Sequence, residues 1–443
     1  MVFSSSVLAA ITFVIFMAFL KLWILLARFI VSVFTINLEE KVLKPLAFTH
    51  SFPRNRAETL KNPEKLFKIL VSQGVIGKAC RFKRIKELKA IDTEPDKNAT
   101  SLAIEIEYSN SEAASSTGEE TRSKKVFVKF QTGKGMPIWL QALRAAAEPG
   151  VVREVDFYNK LSKSVPIHTP KVYYAGKLPH FNLVFIVLEH VNLSTASETS
   201  DTLPSYEVIP DNRFDSKVRM TNMLKQVATM HGQFLGRTAL DERTKWIPAQ
   251  KGLKYCEWVR TMGNKSEPKE YYDLFKALES HFQDYSLTLV HGDCRPGNMM
   301  FNKTDQADII FADFEAVNVA PPLWDFTYAT VIGLPVETRR SSQLELLASY
   351  YEALKASVDP SAKNHLRTLD QYKDDVILLT VVLYYVSRTV TKGGFWENQG
   401  NTEEDLNSWG ERVSSSIQDI SSNRVAELLN VDVSIVDKVK SLS

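Results

Sequence analysis

Two short apolar runs that each end in an aspartate constrain this chain more than any other feature. The first, Leu289-Val290, delivers His291-Gly292-Asp293 to a loop, and Asn298 follows five residues after the aspartate. The second, Ile309-Ile310-Phe311, runs into Ala312-Asp313-Phe314-Glu315. Short apolar runs bounded by turn residues read as buried strands, so three oxygen-bearing side chains stand at strand ends. Such groups suit a hard cation such as Mg2+, which prefers carboxylate and carbonyl oxygens and keeps several waters. The same set serves phosphoryl transfer, with one Asp for an incoming hydroxyl and an Asn and an Asp for the metal. Ordinary loop carboxylates would explain His-Gly-Asp alone. They explain less well its combination with Asn298 and Asp313.

Composition bounds the rest. A chain of 443 residues holds two or three domains, or one bilobed enzyme. A net charge of +2 argues against a strongly basic nucleic-acid protein and against an acidic tail, so no nucleic-acid partner is expected. The cysteines Cys80, Cys256 and Cys294 are too few and too scattered for a disulfide framework and fit a reducing compartment. Cys294 lies inside the His-Gly-Asp loop but has no evident partner base, so it reads as a small packed side chain.

From Val7 to Ile36 only Thr12, Lys21, Arg28, Ser32 and Thr35 interrupt an apolar run. About 20 apolar residues span a bilayer as a helix, and Val7 to Leu26 reaches that length with one lysine, which near an end can snorkel to the head groups. No positive charge precedes the apolar core and no clean small-residue cleavage site follows, unlike a secretory signal. The expectation is one N-terminal transmembrane helix within residues 1–40. A long amphipathic or buried helix is the competing reading. Lys21, Arg28, Lys41 and Lys44 follow the first apolar half, which places the large domain on the cytoplasmic side of a single-pass protein.

Residues 41–75 read as a polar helical linker, with a helix start at Asn62-Pro63-Glu64. Strand patterns follow at 81–88, 101–108 and 125–130, predicting an antiparallel meander, and later at 171–176 and 183–191. The basic face of 81–88 reads as a solvated strand face. Lys129 sits inside an apolar strand, where an ammonium needs a partner. Glu154, beside the Val155, Tyr158 and Leu161 stripe of a predicted helix, could reach it, and such a pair can aim an ammonium at nucleotide phosphates. An edge-strand lysine with its tip in water is the plainer reading. Gly133-Lys134-Gly135 lacks the full phosphate-loop pattern and reads as a flexible loop. Backbone groups from Glu189 to Val191 are candidates for an adenine edge. Residues 194–213 read as a loop, and from Asp215 the periodicity is helical. His231 reads as a core histidine, and Asp325 as a helix cap or a brace for the loop.

With these residues in place, the chain resembles the aminoglycoside phosphotransferase and choline kinase-like superfamily, in its ecdysteroid-kinase-like branch. The resemblance runs from about Phe82 to Leu354 and rests on His291-Gly292-Asp293, Asn298, Asp313-Phe314-Glu315 and Lys129 with Glu154. It implies an α+β, bilobed protein-kinase-like fold, with a small antiparallel β-sheet N-lobe (76–190) and a mostly helical C-lobe (191–443). It implies ATP and Mg2+ as cofactors, Asp293 orienting and deprotonating a substrate hydroxyl, and Asn298 and Asp313 as metal ligands. It also implies Lys129 on the phosphates with Glu154 as its partner. Two departures stand out. The turn 91–100 contains no glycine, and Arg295 stands where bacterial relatives often carry His. Arg295 either neutralises a transferred phosphoryl group or, the reading preferred here, pairs with a carboxylate. The expected activity is a membrane-anchored, ATP-dependent kinase of a small hydroxyl-bearing molecule, such as a lipid- or sterol-like alcohol. The aromatics Trp246, Trp258, Tyr271, Tyr272 and Trp396 could line an apolar pocket, although core packing explains most of them. The alternatives are a nucleotide-binding pseudokinase scaffold at a membrane and a metal-dependent hydrolase using His291, Asp293 and Asp313.

Overall fold

The structure, a computed structural model, describes residues 52–53, 56–88, 101–110, 121–131, 153–178, 183–192, 204–238, 241–247, 267–392 and 403–443, with Trp23, Leu26, Ile30 and Leu253. Apart from Trp23, Leu26 and Ile30, which are helical and exposed, the expected anchor lies outside the described residues. So do Gly133-Lys134-Gly135, the glycine-free turn at 91–100, Trp258 and Trp396. Among the described residues no helix is long and apolar enough to cross a membrane. Two compact units emerge, Met1–Val155 with Lys171–His190, and Asp156–Pro170 with Val191–Ser443.

The first unit is built on a five-stranded antiparallel sheet. Its strands are β1 (Cys80–Glu87), β2 (Ser101–Asn110), β3 (Thr121–Gln131), β4 (Val172–Leu178) and β5 (Leu183–Glu189), in the order β1-β2-β3-β5-β4. Side chains alternate between faces with a period of two. Leu102, Ile104 and Ile106 of β2, Val126, Val128 and Phe130 of β3, and Phe185 and Val187 of β5 therefore meet in one core cluster. β5 is apolar from Leu183 to Leu188 because both its faces are covered; Val184, Ile186 and Leu188 are buried on the other side.

Helices α1 (Arg56–Lys61) and α2 (Pro63–Ser72) precede the sheet. Pro63 opens α2 at the position where a missing N–H costs nothing. Residues 63–72 do more than link, because Leu66, Phe67, Ile69 and Leu70 enter the same core cluster as the strands. The charged residues between them hide this apolar stripe from a composition-based reading.

The second unit is mostly helical. Its helices are α4 (Lys217–Phe234), α5 (Lys269–Phe282), α6 (Leu323–Gly333), α7 (Val336–Ser357) and α8 (Leu369–Lys392), then α9 (Glu403–Asp419), α10 (Ser422–Leu429) and α11 (Val433–Lys440). α3 (Arg153–Lys160) falls across the division between units. The segment 403–429 is not one helix, because Ser421 accepts from the Arg424 N–H and caps a new one at Ser422. The loop expected at 194–213 contains a short strand, β6 (Tyr206–Val208), and a 3₁₀ turn at Asp211–Arg213. β6 pairs with β8 (Met299–Asn302), and β8 with β9 (Ile309–Phe311); β7 (Thr288–Val290) pairs separately with β10 (Asn318–Ala320). All eleven residues of α6 are buried, so it has no solvent face and no amphipathic stripe. Gly232 on α4 lets α7 approach, since a Cβ there would stand 2.7 Å from that of Ser357.

The docking of α2 has a measurable consequence. Leu70→Ala removes a fully buried side chain and is expected to lower stability by about 3 kcal/mol. Chemical denaturation of the variant checks this; a loss within about 0.5 kcal/mol is the surface-substitution result and would detach α2 from the core.

Candidate active site

β7 is buried along its length and ends at Val290, immediately before His291, so the following loop starts from a rigid base. Gly292 has φ +87°, and a Cβ there would lie 2.1 Å from the Ala316 carbonyl oxygen. Only glycine permits that approach. Asp325, fully buried on α6, holds the same turn. Its Oδ2 accepts from the His291 N–H at 2.7 Å and its Oδ1 from the Gly292 N–H at 2.9 Å. His231 approaches the carboxylate at 3.0 Å through Nε2 and meets the Tyr350 hydroxyl at 2.6 Å through Nδ1. That hydroxyl donates to the Pro322 carbonyl. Burial would push the Asp325 carboxyl up, but His231, the neighbouring His291 and the Gly292 N–H outweigh it and hold it below the usual carboxylate range. Of the two roles read for Asp325, it is the brace, since no side chain caps α6. His231 is the buried core histidine expected of it.

The carboxylate of Asp293 is held by its own loop. The Asn298 amide donates to the Asp293 carbonyl at 2.9 Å and to Oδ2 at 2.7 Å. Both neighbours are acceptors, so the amide orientation is forced and its oxygen is turned away from them. Asn298 also lies close to the second motif, because its carbonyl accepts from the Ala312 N–H at 3.1 Å, one residue before Asp313. His291 joins the two from beneath, its Nε2 at 2.9 Å from the Ala312 carbonyl. Asp313 sits in left-handed backbone at φ 63°, ψ 62°, a conformation that costs about 1–3 kcal/mol in most side chains and clusters at functional sites. Phe314 is stacked on Phe157, with centroids 3.7 Å apart. An amide oxygen and a carboxylate at adjoining strand ends fit Mg2+ held by one or two protein groups plus phosphates and water. Among the described residues no cluster of three or more His, Cys, Asp or Glu side chains could cage a metal.

Arg295 pairs with two carboxylates. Its Nη1 donates to Asp211 Oδ2 at 2.8 Å and its Nε to Asp293 Oδ2 at 3.3 Å, while its guanidinium lies 5.1 Å from the centroid of the Trp409 ring. Burial alone would lower this guanidinium, but Asp293 and Asp211 beside it raise it above the ordinary arginine range. Burial pushes the Tyr328 phenol well up, and the charge of the nearby Asp293 adds to the rise. Cys294 is fully buried, and burial pushes its thiol well up, which fits a packed side chain. Asp211, Tyr328 and Trp409 escape sequence reading. Asp211 lies some 80 positions from its partners in a stretch rich in turn formers, which carries no periodic signal.

In the first unit, alternation sends Lys129 to the face opposite Val128 and Phe130. There its Nζ meets Glu154 Oε2 at 2.8 Å, with side-chain exposures of 20% and 4%. Glu189 ends β5. Its N–H donates to the Lys171 carbonyl at 2.8 Å and its Oε1 accepts from the Lys171 N–H at 2.6 Å, so both groups are engaged within the sheet. Val191 belongs to the second unit. Tyr271 is buried against Tyr385 as core packing. A cavity of about 440 Å³ opens between α5 and α10, lined by Asp273, Lys276, His281, Leu428 and Val431; none of the residues above reaches it.

Residues 247–360, which include both aspartate motifs, match the family described as the ecdysteroid kinase-like family. No curated protein matches the chain. Among solved structures, the chain is similar to the choline kinase LicA from Streptococcus pneumoniae, at 14% identity and a TM-score of 0.42, covering 81% of this chain and 99% of that one. It is similar to a choline/ethanolamine kinase family protein from Mesorhizobium loti at 11% identity and 0.42, covering 83% and 98%. It is also similar to an aminoglycoside 2'-phosphotransferase-IIIa solved as a GDP complex, at 12% and 0.44, covering 81% and 100%.

Two substitutions test this geometry. Gly292→Ala is expected to lower stability by about 3 kcal/mol, because both its φ and the Ala316 carbonyl oppose a Cβ; thermal and chemical denaturation read the loss. Lys129→Met removes the cation beside a carboxylate that is almost wholly buried and is expected to cost about 3 kcal/mol. Adding Glu154→Leu should recover most of that, and a double variant no more stable than Lys129→Met would contradict the pairing.

Proposed function

We propose that the chain is an ATP-dependent kinase that transfers the γ-phosphoryl group to a hydroxyl of a small molecule. The observation that carries this reading is the Asn298 amide clamped onto both the carbonyl and the carboxylate of Asp293. That clamp fixes the carboxylate before any substrate arrives, which is how positioned groups lower a barrier.

In this reading Asp293 accepts the hydroxyl proton and aims the oxygen at the phosphoryl group. The Asn298 amide oxygen and the Asp313 carboxylate are the groups that would hold Mg2+, which when bound neutralises charge on the phosphates. Lys129, held by Glu154, contacts the phosphates, and the backbone between Glu189 and Val191 borders the adenine. With the Glu189 N–H already given to Lys171, the groups after Glu189 carry that contact. His291 is engaged with Ala312, so it suits a structural role better than metal ligation, which weighs against a hydrolase. We further propose that residues 1–40 anchor the chain in a membrane with residues 76–443 on the cytoplasmic side, and that the acceptor is an amphiphilic alcohol.

Asp293→Ala is expected to cut Mg2+-dependent ATP turnover about 1,000-fold with the fold retained, and Asp313→Ala to abolish it. Circular dichroism and phosphate-release assays on the purified variants decide this. Full activity in either removes the mechanism, and ATP binding without turnover in the parent chain favours the pseudokinase. For the anchor, the full chain should stay with membranes through carbonate extraction, whereas a chain lacking residues 1–40 should not. Retention of the shortened chain would sink the idea.

A further inference from the structure

We infer that Asp211, Arg295 and Trp409 form a positioning device for Asp293, through which α9 of the C-terminal region sets the orientation of the catalytic carboxylate. The inference rests on the reading of Asp293 as the group that receives the substrate hydroxyl.

An arginine two residues after that aspartate has an obvious alternative use, as a mobile countercharge for the phosphoryl group in transit. Its surroundings here are those of a fixed part. One edge of the guanidinium donates to Asp211 and another to Asp293, and its Cζ lies over the Trp409 ring. A planar fork held on two edges and packed against an aromatic ring has little freedom left. Only 21% of the Arg295 side chain is exposed.

Asp211 is the anchor of the device. Its side chain is fully buried, and its two oxygens are divided between Arg295 Nη1 and the Gly297 N–H, each at 2.8 Å. One carboxylate thus pins the loop on both sides of Pro296, immediately before Asn298. Asp211 is itself held from α9, where Arg412 donates to its main-chain carbonyl at 2.9 Å and also to the Ile332 carbonyl. Trp409 and Arg412 are three residues apart, on one face of α9. A single helix face therefore supplies both the ring beneath Arg295 and the guanidinium behind Asp211.

The test uses the full chain and its Mg2+-dependent ATP turnover. Asp211→Asn, Arg295→Met and Trp409→Leu are each expected to lower kcat about 30-fold with the KM for ATP within about 2-fold, as for a displaced catalytic group. The Asp211→Asn/Arg295→Met double variant should lose no more than the worse single, because the residues act as one unit. Arg295→Lys keeps the charge but cannot bridge two carboxylates, and should resemble Arg295→Met. Near-normal kcat in Arg295→Lys, a rise in KM for ATP matching the fall in kcat, or additive losses would each overturn the device in favour of a direct phosphate contact. If Asp211→Asn does not fold, Trp409→Leu, which leaves both carboxylates paired, carries the test alone. Turnover lost in Asp293→Ala but retained in the device variants overturns this inference only; no turnover in the parent chain overturns the kinase reading and the device with it.

Discussion

A buried carboxylate with three donors is the interaction on which the candidate site depends. Asp325 lies in the first turn of a helix with no solvent face, where an unpaired charge would be prohibitive. It is tolerated because two loop N–H groups and His231 share it. Those same bonds dictate where the backbone of His291 and Gly292 must run. Asp211 repeats the arrangement at the other end of the loop, through Arg295 and Gly297. The segment from His291 to Asn298 is thus suspended between two buried aspartates, and Asp293 and Asn298 stand in the span between them.

The second motif is bound to the first by backbone rather than by side-chain charge. His291 reaches the Ala312 carbonyl, and the Asn298 carbonyl receives the Ala312 N–H, so β8 and β9 meet just before Asp313. The chain then turns through left-handed backbone at Asp313 and passes Ala316 against Gly292. A non-glycine residue holds such a conformation only where its neighbours over-determine it. Here the strand pairing before Asp313 and the stacked Phe314 after it do so.

Legibility followed the range of the signal. β2, β3, β5 and the long helices announced themselves by periodicity, and Lys129 by being a charge in an apolar strand. His291, Asp293, Asn298 and Asp313 were legible because spacing along one short stretch also sets their spacing in space. The core role of residues 63–72 was not, because charges interrupt its apolar stripe. β6 was missed because three residues carry no period. Asp211, Tyr328 and Trp409 were invisible for a different reason. Nothing local distinguishes a loop aspartate or a helix tryptophan that will meet an arginine distant in the chain.

The sequence by itself determined which chemistry is available, because imidazole, amide and carboxylate groups in a fixed short order admit few uses. It also determined the α+β division, since strand and helix periods occupy separate stretches. Only the tertiary structure decided what each group is bound to. It made Asp325 a brace rather than a cap, turned Arg295 toward two carboxylates, and gave Gly292 its necessity through the carbonyl of Ala316. The physical reason is that burial raises the cost of every unpaired polar atom. The partners that relieve it are chosen by packing, across separations in the chain that no local pattern records.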